Sequence, residues 1–350
     1  MSRLEARYTA RFLSALFPLG MKPISAPGLL PAGLCALLFA LCVPAAAQQR
    51  NEMPRIGILE PGSSAEGTCI NGFRRGMAAL GHSEKRNILF EIRYAYSKFD
   101  RLADLAAELV KLRPDVIWTH SPPLVLAARR ATTTIPIVVG VARDLVEQEI
   151  VSSLARPGGN ITGMESRDNE IIGKRLELLK QTLPKISRVA VLVNPKDPGH
   201  AVIPENIEPD ARALRVQLQR YEATGAEALD GAFAAIMKGR ADALLLPESQ
   251  MFAANRRRIF ELAIAKRIAT AAGGPHFAEA GSLVSYGASV SDVCQRSAVF
   301  VDKVLKGARP ADLPVERPAK LDFVINLKTA KQIGVTIPQN MLGRANRVIR

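Results

Sequence analysis

The chain has 350 residues, of which 48% are hydrophobic and 23% charged, and it carries a formal net charge of +14. This composition excludes an intrinsically disordered chain, and at about 150 residues per domain the length predicts two domains. Basic residues are interleaved with acidic ones, and the densest basic run, 256–258, has no interleaved aromatic residue for base stacking. A solvated helix face is therefore favoured over a nucleic-acid site.

The N-terminal segment has the pattern of an export signal. Residues 29–47 form a short apolar run that ends in three alanines and follows the basic Lys22. We predict a signal peptide over residues 1–47, with cleavage after Ala47 and a periplasmic mature protein; Met21 is an alternative start. A transmembrane anchor is the competing interpretation, but the run contains prolines and is short for the roughly 20 residues that a span needs.

From residue 54, short apolar segments alternate with amphipathic helices. The first series has predicted strands at 55–59, 88–94, 115–118 and 135–141, and predicted helices at 66–80, 102–110 and 123–131. The run Pro-Gly-Gly-Asn at 157–160 then interrupts the pattern. The second series has predicted helices at 168–182, 226–238 and 252–265, and predicted strands at 189–193, 216–221, 243–246 and 268–272.

The two series begin alike, with Arg-Ile-Gly-Ile-Leu at 55–59 and Arg-Val-Ala-Val-Leu at 188–192. Alternating strands and helices predict an α/β protein with two doubly wound, Rossmann-like lobes and a ligand cleft between them. The tail, with strands at 283–286 and 323–326 and a helix at 290–305, is expected to cross back as a multi-strand hinge. The expected N-terminal lobe is 54–162 plus about 287–310, and the expected C-terminal lobe is 163–286 plus about 311–340.

The cysteines and histidines give no sign of a metal, cofactor or catalytic site. Cys35, Cys42, Cys69 and Cys294 form no CxxC pair, and no catalytic or nucleotide-binding motif occurs. We expect Cys69 and Cys294 to be buried thiols rather than a disulfide, and the protein not to be an enzyme. The aromatic residues Trp118 and Tyr286 are expected to pack in the core or at the hinge.

Four stretches, in this order, carry a resemblance to a known family: DRLADLAAELVKLRPDVI, SSLARPGGNITG, GKRLELLKQTLPKISRVAVLVNP and FVDKVLKGARPADLPVERPAKLDFVINLKTAKQIGVTIP. They closely resemble the ABC transporter substrate-binding family that includes tryptophan- and tyrosine-type binding proteins, over nearly all of residues 54–350. The resemblance implies the type I periplasmic binding protein fold, a small-molecule ligand and an ABC permease in the inner membrane as partner. We expect the chain to be a monomer.

Two loops depart from the family pattern. The family usually has Gly-Asp-Pro-Val where this chain has Arg-Asp-Leu-Val at 143–146, and often an aromatic residue or Tyr-Gly where this chain has Gly-Gly-Pro-His at 273–276. Both loops lie where ligand contacts are expected. The expected ligand class is an amino-acid-like molecule or a small organic acid, and the two departures weaken the inference that it is an ordinary aromatic amino acid.

The candidate ligand contacts lie in loops after strands, because ligands of open α/β sheets bind beyond the carboxyl ends of the strands. Hydroxyls and free N–H groups at helix N-termini suit a carboxylate, and the resemblance supports an acid after the fourth strand as partner of a ligand ammonium group. The candidates are Ser63, Ser64, Ser121, Pro122, Asp144, Asn194, Glu248, His276 and Phe277.

These candidates also have purely structural interpretations. Helix capping is the alternative for Ser63, Ser121 and Asp144. A turn is the alternative for Asn194, and an uninvolved loop position is the alternative for His276.

The leading hypothesis is a periplasmic protein that captures a small molecule between two lobes and delivers it to an ABC transporter. A ligand-sensing subunit of a membrane receptor or kinase is the first alternative, and a secreted hydrolase on the same scaffold is the second. Turnover of a candidate ligand would distinguish the hydrolase from a binding protein.

Overall fold

The computed structural model describes residues 53–62, 67–96, 98–200 and 203–350. The predicted signal peptide, its cleavage site and two candidate contacts, Ser63 and Ser64, lie outside the described residues. Within these residues, none of the helices combines the length and the apolar character that crossing a bilayer requires.

The N-terminal lobe is built on a five-stranded parallel sheet in the order β2-β1-β3-β4-β5. Its central strands are buried on both faces, as is typical of parallel sheets covered by helices. The strands are β1 (Arg55–Glu60), β2 (Leu89–Tyr94), β3 (Val116–Thr119), β4 (Ile137–Ala142) and β5 (Ile161–Glu165). The helices between them are α1 (Thr68–Ala79), α2 (Leu102–Lys111) and α3 (Pro122–Ala131).

The C-terminal lobe is built on a seven-stranded sheet in the order β12-β11-β10-β9-β8-β6-β7, parallel except that β11 runs antiparallel to β10. Its strands are β6 (Arg188–Val193), β7 (Gln217–Glu222), β8 (Ala243–Leu245), β9 (Ala269–Ala272), β10 (Val284–Gly287), β11 (Asp322–Asn326) and β12 (Arg347–Ile349). Its helices are α4 (Asp168–Thr182), α5 (Ile203–Ala213), α6 (Leu229–Lys238), α7 (Gln250–Ala254), α8 (Arg256–Ala265), α9 (Pro275–Glu279), α11 (Leu327–Ile333) and α12 (Gln339–Arg344).

The remaining helix, α10 (Val290–Leu305), follows a strand of the C-terminal sheet but packs on α1 of the N-terminal lobe. The two helices approach closely because α1 has glycines at the contact. A Cβ at Gly72 or Gly76 would overlap the carbonyl oxygens of Ser291 and Gln295.

A disulfide joins α1 and α10. Cys69 and Cys294 are 225 residues apart in sequence, and their Cα atoms lie 5.3 Å apart. The prediction of two buried thiols is therefore wrong, although both residues are buried. The long separation in sequence was misleading, because the return of α10 to the N-terminal lobe brings Cys294 against α1.

The core of the N-terminal lobe includes the single tryptophan of the chain. Trp118 is fully buried and stacks on Phe73 with 4.3 Å between ring centroids, and its Nε1 donates a hydrogen bond to Ser297 Oγ at 2.9 Å. The prediction that Trp118 packs in the core is confirmed. Because Ser297 belongs to α10, this hydrogen bond also fixes the returning helix on the first lobe.

The chain passes between the two sheets three times, at 166–167, 288–289 and 306–321. Two of the crossings are joined by Arg317, which pairs with Glu165 of β5 at 2.8 Å and with Glu170 of α4 at 3.0 Å. Glu165 also accepts a hydrogen bond from the backbone N–H of Leu145 at 2.9 Å. This ionic network ties the end of the first sheet to the start of the second lobe.

Candidate functional site

A cavity of about 360 Å³ lies between the lobes, at the carboxyl ends of the parallel strands. This volume is at the lower end of the range for small-ligand pockets. Residues from both sheets form its walls. Four of the nine candidate contacts line it: Ser121, Pro122, Glu248 and His276.

Three other candidates lie away from the cavity lining. Both carboxylate oxygens of Asp144 accept hydrogen bonds from Asn169 Nδ2, at 3.0 and 2.8 Å. The side chain of Asn194 accepts from the backbone N–H of Lys196 at 3.0 Å, which is a turn contact. Phe277 is fully buried in the core of the C-terminal lobe. We therefore omit Asp144, Asn194 and Phe277 from the proposed site.

Ser121 has a hydroxyl that is free for a ligand. It follows β3 and precedes α3, and its backbone is in the left-handed region with φ of 64°. Ser121 occupies the N-cap position of α3, but its side chain makes no capping hydrogen bond, so capping does not account for the hydroxyl. Among the residues that the structure describes, the buried Oγ finds no hydrogen-bond partner.

On the N-terminal lobe, the cavity wall contains a buried carboxylate. Glu60 ends β1 and His120 follows β3, and these strands are neighbours in the sheet. The Glu60 carboxylate lies 3.3 Å from Nε2 of His120, and both residues are buried. Nε2 of His120 lies 3.3 Å from each of the two Glu60 oxygens, and Oε1 accepts no hydrogen bond from any described residue. A buried carboxylate with remaining acceptor capacity can receive the ammonium group of a ligand.

On the C-terminal lobe, the wall contains a buried arginine that was not among the predicted contacts. Arg175 of α4 is 1% exposed, pairs through Nη2 with Asp168 and donates from Nε to the carbonyl of Tyr286 at 2.7 Å. Its Nη1 has no hydrogen-bond partner within the described part of the chain. Planar guanidinium groups bind carboxylates well, so this free N–H group suits an anionic ligand.

The geometry is that of a solute cleft between two α/β lobes, and the sequence agrees. The family described as ABC transporter substrate binding protein matches residues 60–349. The chain belongs to this family. Its members bind a small solute and deliver it to an ABC transporter. The family, the two-lobed fold and the solute-binding role predicted from the sequence are thereby confirmed.

Individual proteins are similar to this chain in sequence or in fold. A tyrosine-binding protein of Clostridioides difficile (strain R20291) is 24% identical over 262 residues, which cover 75% of each protein. A conserved domain protein from Vibrio cholerae superposes with a TM-score of 0.78 at 25% identity, covering 85% of this chain and 100% of that one. An ABC domain from Streptococcus pneumoniae in complex with L-Trp gives a TM-score of 0.78 at 22% identity, with the same coverage.

Charged side chains of both signs line the cavity of this substrate-binding protein. Four arginines line the cavity against three carboxylate side chains. The arginines are Arg143, Arg167, Arg175 and Arg256, and the acids are Glu60, Asp168 and Glu248. Arg143 and Arg175 are paired with Asp197 and Asp168, and Arg167 is exposed and pairs with Glu170, so most of this positive charge is balanced within the protein or screened by solvent.

Burial and neighbouring charges shift the pKa values of three side chains in the cavity wall, those of Asp168, Glu248 and His276. Burial, together with the nearby carboxylate of Asp168, raises the pKa of Glu248 to about 7, although Arg175 opposes the shift. Burial alone would raise the pKa of Asp168, but Arg175 holds that pKa below its usual value. Burial and the positive charges of Arg256 and Arg175 lower the pKa of His276 to about 4. At neutral pH His276 is therefore uncharged.

Glu248 and His276 should give opposite pH dependences of stability. Because its pKa is raised, Glu248 adds stability that is complete below pH 4.5 and is lost as the pH rises to about 7. Because its pKa is lowered, His276 adds stability that is present above pH 6.5 and is lost as the pH falls to about 4. Each contribution is about 3 kcal/mol, and the two oppose each other between pH 4.5 and 6.5.

We therefore expect the Glu248→Gln variant to lose more stability than the wild type on acidification, and the His276→Gln variant to lose less. Urea unfolding of the three proteins at a series of pH values across this window measures the difference. The exposed Glu222→Gln is the control and should follow the wild type. Parallel pH profiles for all four proteins would contradict the assigned titrations.

Proposed function

We propose that this substrate-binding protein captures a small solute bearing a carboxylate in the periplasm, where the signal peptide over residues 1–47 directs it. It then delivers the solute to an ABC permease in the inner membrane. The observation that carries this proposal is the unpaired Nη1 of Arg175, buried at the wall of the interlobe cavity. A buried N–H group without a partner is costly, and a ligand carboxylate would satisfy it.

The opposite wall supports a second contact. The free hydroxyl of Ser121 can donate a hydrogen bond, and the carboxylate of Glu60 can accept one from an ammonium group. An amino acid would contact Arg175, Ser121 and Glu60, whereas a simple organic acid would contact Arg175 and Ser121 without Glu60. The C. difficile relative named as a tyrosine-binding protein and the S. pneumoniae structure in complex with L-Trp favour the amino-acid class.

The two-lobed geometry provides a way for the protein to signal to the permease that a solute is bound. A ligand that contacts both walls binds the closed state more tightly than the open state, so it shifts the equilibrium towards closure. Closure changes the surface formed jointly by the two lobes, and a permease can recognise that surface. In this proposal the protein acts as a monomer and leaves its ligand chemically unchanged. Turnover of a bound solute would therefore contradict the proposal.

A thermal-shift screen tests the binding function. The panel contains the L-amino acids, aromatic acids and dicarboxylates, each added to purified protein. A solute at a hundredfold excess over its dissociation constant stabilises the native state by about 2.7 kcal/mol, which raises the midpoint measurably. If no member of the panel raises the midpoint, the proposed carboxylate class is wrong.

For a solute that raises the midpoint, Ser121→Ala should weaken binding about tenfold or more, because a hydrogen bond to a charged group is lost. Fluorescence of the single tryptophan is a suitable readout, because the ring centroid of Trp118 lies 5.7 Å from that of His120, and His120 lines the cavity. The exposed Ser83→Ala is the matched control and should bind like the wild type. Equal affinities for Ser121→Ala and Ser83→Ala would remove Ser121 from the site.

A further inference from the structure

One side chain of the N-terminal lobe reaches across the cleft. Arg143 follows β4, and its side chain is buried between the lobes. Its Nη2 donates to the carboxylate of Asp197, in the loop after β6. Its Nη1 donates to the carbonyl oxygen of Glu248, in the loop after β8, at 3.3 Å. One guanidinium group therefore joins two separate loops of the opposite lobe.

The next residue makes a third contact of the same kind. Asp144 accepts two hydrogen bonds from the amide of Asn169, at 3.0 and 2.8 Å, and Asn169 lies in the first turn of α4. The backbone of Asp144 is in the left-handed region with φ of 57°, which is uncommon for residues other than glycine. Two consecutive residues of one lobe are thus held against three segments of the other.

The loops of the C-terminal lobe that contact Arg143 leave room for its side chain. Gly199 leaves the space that the guanidinium group occupies, since a Cβ there would lie 2.5 Å from Arg143 Nε. His200 accepts a hydrogen bond at Nδ1 from the backbone N–H of Asn194, so its proton is on Nε2. That Nε2 lies 3.0 Å from the same Glu248 carbonyl oxygen that Arg143 contacts. Arg143 and His200 together satisfy this carbonyl.

We propose that Arg143 is a clasp between the lobes, which biases the ligand-free protein towards its closed state. The clasp consists of Arg143 and its partners Asp197 and the Glu248 carbonyl. Its bonds are made between protein groups and need no ligand, so they shift the open–closed equilibrium before a solute arrives. A larger closed population raises the apparent affinity for any solute that binds the closed state.

The clasp can be tested at residues that do not line the cavity. Asp197→Ala removes the carboxylate partner, and Gly199→Ala forces Arg143 away from its partners. Asp230→Ala is the matched control, since it also removes an aspartate paired with an arginine, Arg258, at 2.8 Å, but on the exposed surface of the C-terminal lobe. Each protein is unfolded in guanidinium chloride and refolded to remove bound solute. Small-angle X-ray scattering then measures the radius of gyration.

We expect the ligand-free wild type and Asp230→Ala to share one radius of gyration. Asp197→Ala and Gly199→Ala should each shift the closed-to-open ratio about tenfold towards the open state, which gives a larger radius. Circular dichroism establishes that each variant is folded, and the two clasp variants serve as replicates of each other. Identical radii for all four proteins would overturn the clasp. Because no ligand is present, this outcome is independent of the proposed solute class.

Discussion

Reduction of the Cys69–Cys294 disulfide is expected to lower the free energy of unfolding by about 5 kcal/mol. The bond closes a loop of the unfolded chain across a sequence separation of 225 residues, and the loss of chain entropy on closure grows with the logarithm of loop length. The helices α1 and α10 are already packed together by close glycine contacts, so the bond joins segments that the fold brings together in any case. The effect should therefore act mainly through the unfolded state.

Urea unfolding of the oxidised protein, the reduced protein and the Cys69→Ser/Cys294→Ser double variant measures this contribution. The reduced protein and the double variant should agree with each other, and reductant should leave the double variant unchanged. A difference below about 1 kcal/mol between the oxidised and reduced forms would show that the bond does not constrain the unfolded chain as the entropy model requires.

Replacement of Arg175 by methionine should destabilise the ligand-free protein by about 3 to 5 kcal/mol. The substitution keeps most of the side-chain volume but leaves the carboxylate of Asp168 buried without its cationic partner. The same variant should lose carboxylate binding, because the unpaired Nη1 is removed from the cavity wall.

A double variant separates the loss of stability from the loss of carboxylate binding. Arg175→Met/Asp168→Asn removes both charges and should recover most of the lost stability, whereas binding should remain absent. The exposed pair of Arg258 and Asp230 supplies the control, since Arg258→Met should cost about 1 kcal/mol or less. If urea unfolding shows that Arg175→Met also costs about 1 kcal/mol or less, the result would contradict the assignment of a buried ion pair.

Most of the fold could be predicted from the alternation of strand and helix patterns in the sequence. The elements that this prediction lacks are difficult to recognise for physical reasons. The strand β5 was missed because its five residues include Gly163, whose φ of 133° and close approach to Val139 accept no side chain. The helix α5 was missed because it contains Pro209 in its interior, which normally interrupts a helix. The segment predicted as one helix at 252–265 divides into α7 and α8 at Asn255, which is the C-terminal cap of one and the N-terminal cap of the other.

The site could be predicted only in part, because loop positions after strands indicate an edge of the sheet and not the direction of a side chain. Ser121 and Glu248 are on the cavity wall, whereas Phe277, in the short helix α9 after β9, is turned into the core. Arg175 did leave a signal: it lies three residues after Ile172 and four before Leu179, both of which are buried. A charged residue on the buried face of a helix is a strong indication of a buried ion pair or a ligand.

Isothermal titration calorimetry of one solute and its neutral counterpart tests the central claim most directly. The solute is the carboxylate that raises the melting midpoint most, and the counterpart is its primary amide. If the cavity binds a carboxylate at Arg175, the acid should bind about a hundredfold more tightly than the amide at pH 7, because only the acid forms charge-assisted hydrogen bonds there. Equal affinities for the acid and the amide would contradict the account.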